Sequence, residues 1–386
     1  MRPSLLERLQ QQVGQRAESA GLRQVLTSEQ LSARHVVIHR RRLLNFSSND
    51  YLGLATHPQV ISAARQALTE TAGSGASHLV TGHHRYHQAL QEALADWLQR
   101  PAALLFSCGY MANLGVIQTL CQRHDLLLQD RLNHASLIDA ARLSGARLRR
   151  YHHNDANHAA TLLEANPERA AMIATDGVFS MDGDIAPLSQ LAQLCQRQHA
   201  TLMVDDAHGL GVMGDQGRGS TASLDTEQVP VLMGTLGKAL GGFGAFVTGS
   251  SDLIEGLTQF ARSHIYTTAT PPACAAASLQ ALQLSRNDEA LREQLQANVA
   301  QLREQLAGHP KLRLMASDSP IQPILVGDSQ TAVTLSEQLF QAGLRVVAIR
   351  PPTVPQGQAR LRITLSAAHR PEDIQQLADT LLRLSQ

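Results

Sequence analysis

The chain has 386 residues, 43% of them hydrophobic and 17% charged, with 33 basic and 33 acidic side chains that cancel to zero net charge. That length supports a substantial core and two domains, and the composition is that of a soluble globular protein. No basic block or stripe is present for a nucleic acid, and no apolar run is long enough to span a bilayer.

Residues 4–20 have helical spacing, with Leu5, Leu6, Leu9 and Val13 on one face. The same stretch lacks the apolar core of a signal peptide. A hairpin-like region follows and ends near Asn45-Phe46. From about residue 85 to 250, short apolar runs alternate with amphipathic helical patterns. Strands are expected at Ala103–Ser107, Leu126–Gln129, Ala171–Thr175, Thr201–Asp205, Val229–Met233 and Gly244–Thr248. Helices are expected at Tyr86–Gln99, Ala135–Leu143 and Leu188–Gln198. Apolar strands between helices have both faces covered, which predicts a mostly parallel sheet. A long helical region from Pro272 to Leu306 joins it to a smaller α+β unit. That unit has strands at Ile321–Val326, Arg345–Ile349 and Arg360–Leu365 and helices near 330–342 and 371–384. The fold class is α/β, divided into 1–45 (a helix and short strands), 46–285 (a large cofactor domain) and 286–386 (a small C-terminal domain).

Cys108, Cys121, Cys195 and Cys274 form no C-x-x-C pair and no zinc spacing. They read as reduced thiols of a cytoplasmic protein. Only two of the 33 basic residues are lysines, Lys238 and Lys311. Lys311 lies in a polar turn. Lys238 lies in the apolar, glycine-rich stretch 232–242. Arginine stays protonated, whereas a lysine in apolar surroundings loses its proton and forms a Schiff base.

In an open α/β sheet, ligands bind beyond the carboxyl ends of the strands. There the sequence places Asp205 and His208, the run 176–184, the loop with Lys238, Gly109 at a helix start, and His134. This set matches the needs of pyridoxal phosphate. An amine takes up the aldehyde, a strand-end carboxylate keeps the pyridine nitrogen protonated, and a helix N-terminus receives the phosphate. Two other patterns compete. Gly209-Leu210-Gly211-Val212-Met213-Gly214 satisfies the dinucleotide fingerprint, but the helix-breaking run 215–220 follows where that fingerprint needs a helix. The histidine-rich runs 83–87 and 152–155 lack a third ligand at a supporting position, so no metal is expected.

Six strings carry a resemblance that covers about residues 20–370: NFSSNDYLGL (45–54), DRLNHASL (130–137), GVFSMDGD (177–184), VDDAHGLGVMG (204–214), GTLGKALGG (234–242) and AIRPPTVPQGQARLRITLSAAH (348–369). With them the chain resembles the α-oxoamine synthases, fold-type I pyridoxal phosphate transferases. The last string is most similar to members that condense L-alanine with pimeloyl-CoA, or with a pimeloyl carrier protein, in biotin biosynthesis. Sister enzymes use glycine or serine with other acyl-CoA thioesters, and that reading stays open. So does a non-catalytic binding protein on this fold.

The resemblance implies that Lys238 is the Schiff-base lysine and general base. Asp205 pairs with the pyridine nitrogen, His208 with the ring hydroxyl oxygen, and His134 stacks on the ring and positions substrate. Gly109, Tyr110, Ser180 and Thr235 serve the phosphate and ring edge. Arg23, Asn49, Arg350 and Thr353 face the substrates, with Arg350 on the amino-acid carboxylate. It further implies a homodimer in which Thr268 reaches the phosphate held by the other subunit.

Overall fold

The computed structural model describes residues 4–18, 21–23 and 25–385. Its strands form three sheets. Strands β1 (Ser28–Ser32), β2 (His35–Ile38) and β3 (Arg41–Asn45) make an antiparallel meander. The central sheet contains β4 (Ala102–Phe106), β5 (Leu126–Asp130), β6 (Arg147–Tyr151), β7 (Ala171–Asp176), β8 (Thr201–Asp205), β9 (Val231–Thr235) and β10 (Ala245–Gly249). The C-terminal sheet contains β11 (Arg313–Leu314), β12 (Ile321–Gly327), β14 (Val347–Ile349) and β15 (Ala359–Thr364), and β13 (Leu344–Arg345) adds to the first meander beside β3.

The central order is β4-β10-β9-β8-β7-β5-β6. Only β10 runs antiparallel to its neighbours, so the sheet is mostly parallel, as expected. Leu126, Leu127 and Leu128 of β5 and Leu202, Met203 and Val204 of β8 are fully buried. Strands covered on both faces have no exposed side to alternate with, which is why they read as continuous apolar runs. Burial of each such side chain contributes roughly 1.5–3 kcal/mol. Strand β6 was not anticipated. Its Arg147, Arg149 and Arg150 are exposed at the sheet edge, where charge discourages pairing with another chain.

Two segments depart from the sequence expectation. The long helix is two, Pro272–Asn287 and Glu289–Leu306, broken where Asp288 turns extended (φ −112°, ψ 90°). The side chain of Arg292 donates to the Ser285 carbonyl and so satisfies part of the exposed helix end. The run 345–349 is split between sheets. Leu344 and Arg345 pair with Leu44 and Asn45, while Val347–Ile349 pair with Arg362–Arg360. The first helix spans Leu5–Glu18, and residues 19 and 20 of the expected 4–20 lie outside the described residues. Its Leu5, Leu6, Leu9 and Val13 are exposed rather than packed on this chain.

Candidate active site

Strands β5, β7, β8 and β9 are parallel, so their carboxyl ends open onto one side of the sheet. Lys238 follows β9 in a turn closed by hydrogen bonds from Gly241 N to Lys238 O (2.8 Å) and Gly242 N to Leu236 O (2.7 Å). Gly241 is required here: its φ is +58°, and a Cβ would lie 2.3 Å from Ala55 N. Thr235 Oγ1 accepts from Gly237 N at 3.2 Å and donates to Gly244 O at 3.0 Å, which fixes the start of the same turn.

Lys238 Nζ lies 2.8 Å from His208 Nε2, and His208 Nδ1 lies 2.5 Å from Tyr51 Oη. An ammonium donates only, so His208 accepts at Nε2 and carries its own proton on Nδ1, facing the tyrosine. Burial, together with Lys238, Arg362 and His134, keeps His208 well below the usual histidine pKa, and hence neutral. Burial also lowers Lys238 to about 8, with Asp205 and Asp176 opposing.

Asp205, at the end of β8, accepts from Asn113 Nδ2 (2.7 Å) and from Ala207 N (3.1 Å). Asn113 also donates to Ser136 Oγ at 2.8 Å, and Ser136 Oγ lies 2.7 Å from His134 Nδ1. Ser136 N donates to the same Nδ1 at 3.3 Å, so a neutral His134 carries its proton on Nε2. Burial lowers its pKa, Asp205 opposes and Lys238 adds to the lowering. Asp176, at the end of β7, accepts from His134 N at 3.1 Å. Burial, then Asp205, raises its pKa well above the carboxylate range.

The loop after β7 is held from the C-terminal sheet. Arg362 of β15 donates through Nε to Ser180 O (2.6 Å) and through Nη1 to Asn49 Oδ1 (3.1 Å) and Thr364 Oγ1 (2.8 Å). Its Nη2 is buried without a hydrogen-bond partner among the described residues. Arg362 also acts electrostatically on Lys238, His208 and Tyr51. It therefore carries a guanidinium N–H not spent on the described residues, the kind of donor suited to a carboxylate.

The structure brings Lys238, His208, Asp205, His134, Asn49, Ser180 and Thr235 into this connected cluster. Gly109 begins helix Gly109–Leu120, which has no side-chain cap. Tyr110 is exposed, with its hydroxyl donating to Asp139. Thr268 is exposed, and its carbonyl accepts from Ser107 Oγ at 3.3 Å within the same chain. Arg23 and Thr353 are exposed, and Arg350 contacts Leu22 O at 3.4 Å, away from the hydrogen bonds around Lys238. Sequence reasoning gave no individual role to Tyr51, Asn113, Ser136, Asp176 or Arg362, although Asp176 stood in the strand-end run 176–184.

The competing patterns resolve physically. Ser220 N and Oγ each donate to buried Asp206 at 2.7 Å. A Cβ on Gly177, Gly209 or Gly219 would come within 2.5, 2.2 and 2.0 Å of that carboxylate. Gly209 and Gly219 thus make room for a carboxylate, and a Cβ on Gly211 or Gly214 would meet Ala239 or Ala222, so the fingerprint glycines pack against the protein itself. His153 hydrogen-bonds Asp130 (3.0 Å) and Asp184 (2.7 Å); burial opposes its charge, but these bonds raise its pKa to about 10. It is a structural imidazolium. His158 does bring a third donor near His152 and Asp155. However, its Nδ1 accepts from His152 N at 3.0 Å, so the neutral ring carries a proton on Nε2 and offers no lone pair to an ion.

Pyridoxal phosphate fits these residues. The uncapped helix at Gly109 leaves its first N–H groups for a phosphate. Lys238 supplies the amine, and Asp176 Oδ1, Asn113 Oδ1 and Arg362 Nη2 are buried polar atoms without partners among the described residues. Sheet, strand-end lysine and phosphate-ready helix together define a fold-type I pyridoxal phosphate enzyme. The family model for aminotransferase class I and II matches residues 41–381. An 8-amino-7-oxononanoate synthase from Hahella chejuensis is 53% identical over 92% of this chain and 90% of that protein. Another from Stenotrophomonas maltophilia is 51% identical over 98% and 94%. Among solved structures, a PLP-bound serine palmitoyltransferase from S. paucimobilis superposes with a TM-score of 0.94 at 29% identity, covering 99% of this chain and 98% of that one. An 8-amino-7-oxononanoate synthase from Francisella tularensis gives 0.77 at 32% identity, covering 89% and 97%. The chain belongs to the aminotransferase class I and II family and, within it, to the 8-amino-7-oxononanoate synthases.

Proposed function

We propose that the chain condenses L-alanine with pimeloyl-CoA, or with the same acyl group on a carrier protein, to give 8-amino-7-oxononanoate, carbon dioxide and the free thiol, in biotin biosynthesis. The observation that carries the proposal is the hydrogen-bonded line from Lys238 through His208, Tyr51 and Asn49 to Arg362. It joins an amine of lowered basicity to a guanidinium with an N–H not spent on the described residues. Pyridoxal phosphate supplies the aldehyde that takes up the amine and an electron sink for the carbanion.

The residues divide the remaining work. Arg362 Nη2 binds the alanine carboxylate, and Asn49 orients the guanidinium. Lys238 takes the Cα proton, and its pKa near 8 suits a base at neutral pH. Cα then bonds to the acyl carbon, the C–S bond breaks, and the thiolate leaves. His134 presents Nε2–H to the thioester oxygen. The bond to the former alanine carboxylate breaks next, releasing carbon dioxide, and Lys238 returns a proton to Cα. Asp205, oriented by Asn113, holds the proton on the ring nitrogen, and His208 serves the ring hydroxyl oxygen. Gly109, Tyr110, Ser180 and Thr235 serve the phosphate and ring edge, and Arg23 and Thr353 face the acyl donor.

The working unit is a homodimer in which Thr268 reaches the phosphate held by the other subunit. Exposed Leu79, Val80, Phe243 and Tyr266, near Thr268, support this reading. The segments 76–82 and 267–270 are tied together by the Ser77–Thr268 bridge and by Ala269 N to Ala76 O at 2.9 Å. Four free cysteines accord with a cytoplasmic location.

The test mixes purified protein with pimeloyl-CoA and L-alanine, glycine or L-serine, and follows free thiol and product mass. Alanine should give the nine-carbon amino ketone. Turnover confined to glycine or serine with another acyl-CoA would replace this reading with a sister reaction.

A further inference from the structure

Tyr51 is fully buried and stands in the middle of a hydrogen-bonded chain whose polarity is fixed from both ends. At one end Arg362 Nη1 donates to Asn49 Oδ1 at 3.1 Å. A guanidinium donates only, so Oδ1 is settled as the acceptor of that amide. Tyr51 Oη–H donates to the same oxygen at 3.4 Å, which leaves its lone pairs for His208 Nδ1 at 2.5 Å. At the other end Lys238 Nζ lies 2.8 Å from His208 Nε2. With an obligate donor at each end, one arrangement satisfies every link: Nδ1–H donates to Tyr51, and Nε2 accepts from Lys238. Burial, with Arg362 opposing, raises Tyr51 to about 12, so the hydroxyl keeps the proton it gives to Asn49. The tyrosine backbone is pinned on both sides, Tyr51 N donating to Asn49 O (2.9 Å) and Ala367 N to Tyr51 O (2.8 Å).

This polarity matters once Lys238 loses a proton. The neutral amine has one lone pair, and that pair must reach the aldehyde. While Nε2 is bare, the amine goes on donating to it and its own lone pair stays free. With a proton on Nε2, Nε2–H would donate to Nζ and occupy the pair. Without the tyrosine hydroxyl, either tautomer leaves Nδ1 unsatisfied in a buried site. Orphaned buried N–H groups are rarer than orphaned acceptors, so the balance then tips to a bare Nδ1 and a proton on Nε2.

Resting on the proposed role of Lys238 as the amine that takes up pyridoxal phosphate, we infer that Tyr51 is a positioning residue that fixes the tautomer of His208 and so keeps the Lys238 lone pair open to the aldehyde. In that uptake Nζ bonds to the aldehyde carbon, and the aldehyde oxygen leaves as water with the two protons of the amine. Tyr51 acts through His208, and Asn49 and Arg362 supply the polarity behind it.

The experiment uses full-length, cofactor-free protein with isotope-labelled histidine. Long-range proton–nitrogen NMR reads which ring nitrogen of His208 is protonated, and His208→Gln identifies the signal. Stopped-flow absorbance follows uptake of pyridoxal phosphate against pH. Tyr51→Phe removes only the hydroxyl. Asp205, Asp176, Arg362 and Asp206, which act on Lys238, stay in place, as do Arg362 and His134, which act on His208. The wild type should carry the His208 proton on Nδ1 at neutral pH. In Tyr51→Phe the proton should move to Nε2 and the plateau rate of uptake should fall about five-fold or more. The uptake midpoint should move about one pH unit lower, because the ammonium loses its acceptor. Replacing Tyr51 by fluorotyrosine keeps the hydroxyl and should restore all three readings. A role in packing alone would lower the urea midpoint and leave the tautomer unmoved. A wild-type His208 protonated at Nε2 overturns the inference, and this reading needs no variant to fold. So does a Tyr51→Phe protein whose tautomer, midpoint or plateau is unchanged. Neither measurement involves alanine or an acyl donor, so those results leave the proposed condensation standing, whereas no uptake by the wild type at any pH sinks the proposed function itself.

Discussion

Arg362→Lys isolates the part of the site that sequence reasoning assigned elsewhere. Arg350 was expected on the amino-acid carboxylate, and the proposed function gives that role to Arg362, whose buried Nη2 has no hydrogen-bond partner among the described residues. Arg362 is 4% exposed and already spends Nε and Nη1 on Ser180 O, Asn49 and Thr364. Lysine keeps the positive charge that acts on Lys238 and His208, so their protonation should hold. It loses the planar fork that serves loop and substrate together. A charge-assisted hydrogen bond contributes about 1.5–3 kcal/mol, and each 1.4 kcal/mol is about a factor of ten. The KM for L-alanine should therefore rise roughly 10- to 100-fold. Steady-state kinetics with each substrate varied in turn would measure it, with the pH profile as a check that charge was preserved. An alanine KM within roughly two-fold of wild type, with a large rise in Arg350→Gln instead, would return the carboxylate to the outer arginine.

Three further outcomes follow from the same geometry. With Lys238 lowered to about 8, uptake of pyridoxal phosphate by cofactor-free protein, read by visible absorbance, should accelerate up to pH near 8 and then level. A rate still climbing toward the ordinary lysine pKa of about 10.4 would mean that burial does not act on this amine. Gly219→Ala places a Cβ 2.0 Å from Asp206 at a φ of +89°. Left-handed strain of about 1–2 kcal/mol and overpacking of about 1–3 kcal/mol should lower stability by about 3 kcal/mol, and an unchanged urea midpoint would contradict the crowded carboxylate. His78 is buried against His83, His87 and His264, and burial followed by these rings lowers it to about 3. The unfolded chain binds that proton near pH 6.5, so this stability is present at neutral pH and is lost as pH falls below 6.5. Between pH 6.5 and 4.5 one such group removes about 2–3 kcal/mol. His78→Gln should flatten that acid slope in urea titrations, and an identical slope would place the sensitivity elsewhere.

What was legible depends on how local the determining contacts are. Strand ends can be read because an apolar run followed by polar residues is a pattern within a few positions, and it located Lys238, Asp205, His208 and His134. Tyr51, Asn113 and Arg362 matter through partners 157, 92 and 313 residues away, and no local period reports those. Arg362 left a trace all the same. In Ala359–Thr364 two arginines alternate with apolar residues, yet every position is buried. A strand buried on both faces that carries charges must be spending them on something, and Arg360 spends its own on Asp182. The split of 344–349 left none, because one short run serves two sheets and only the partners decide where it divides.

The pair Asp205-Asp206 shows where a local rule carries further than its pattern. Asp205 is the last residue of β8 and Asp206 follows it directly, and composition does not rank them. Successive side chains of a strand point to opposite faces, so only one of two neighbours can face the helix that starts at Gly109. The apolar neighbours Met203 and Val204 are both fully buried and give no sign of which face that is. The glycines do. Gly209 and Gly219 have room for no side chain beside Asp206, so that carboxylate is enclosed, and its burial raises it to about 7. Asp205 is left to meet Asn113 and the lysine pocket. Gly209, the first glycine of the apparent dinucleotide fingerprint, was therefore informative after all: with Gly219 it encloses the aspartate that the chemistry does not use.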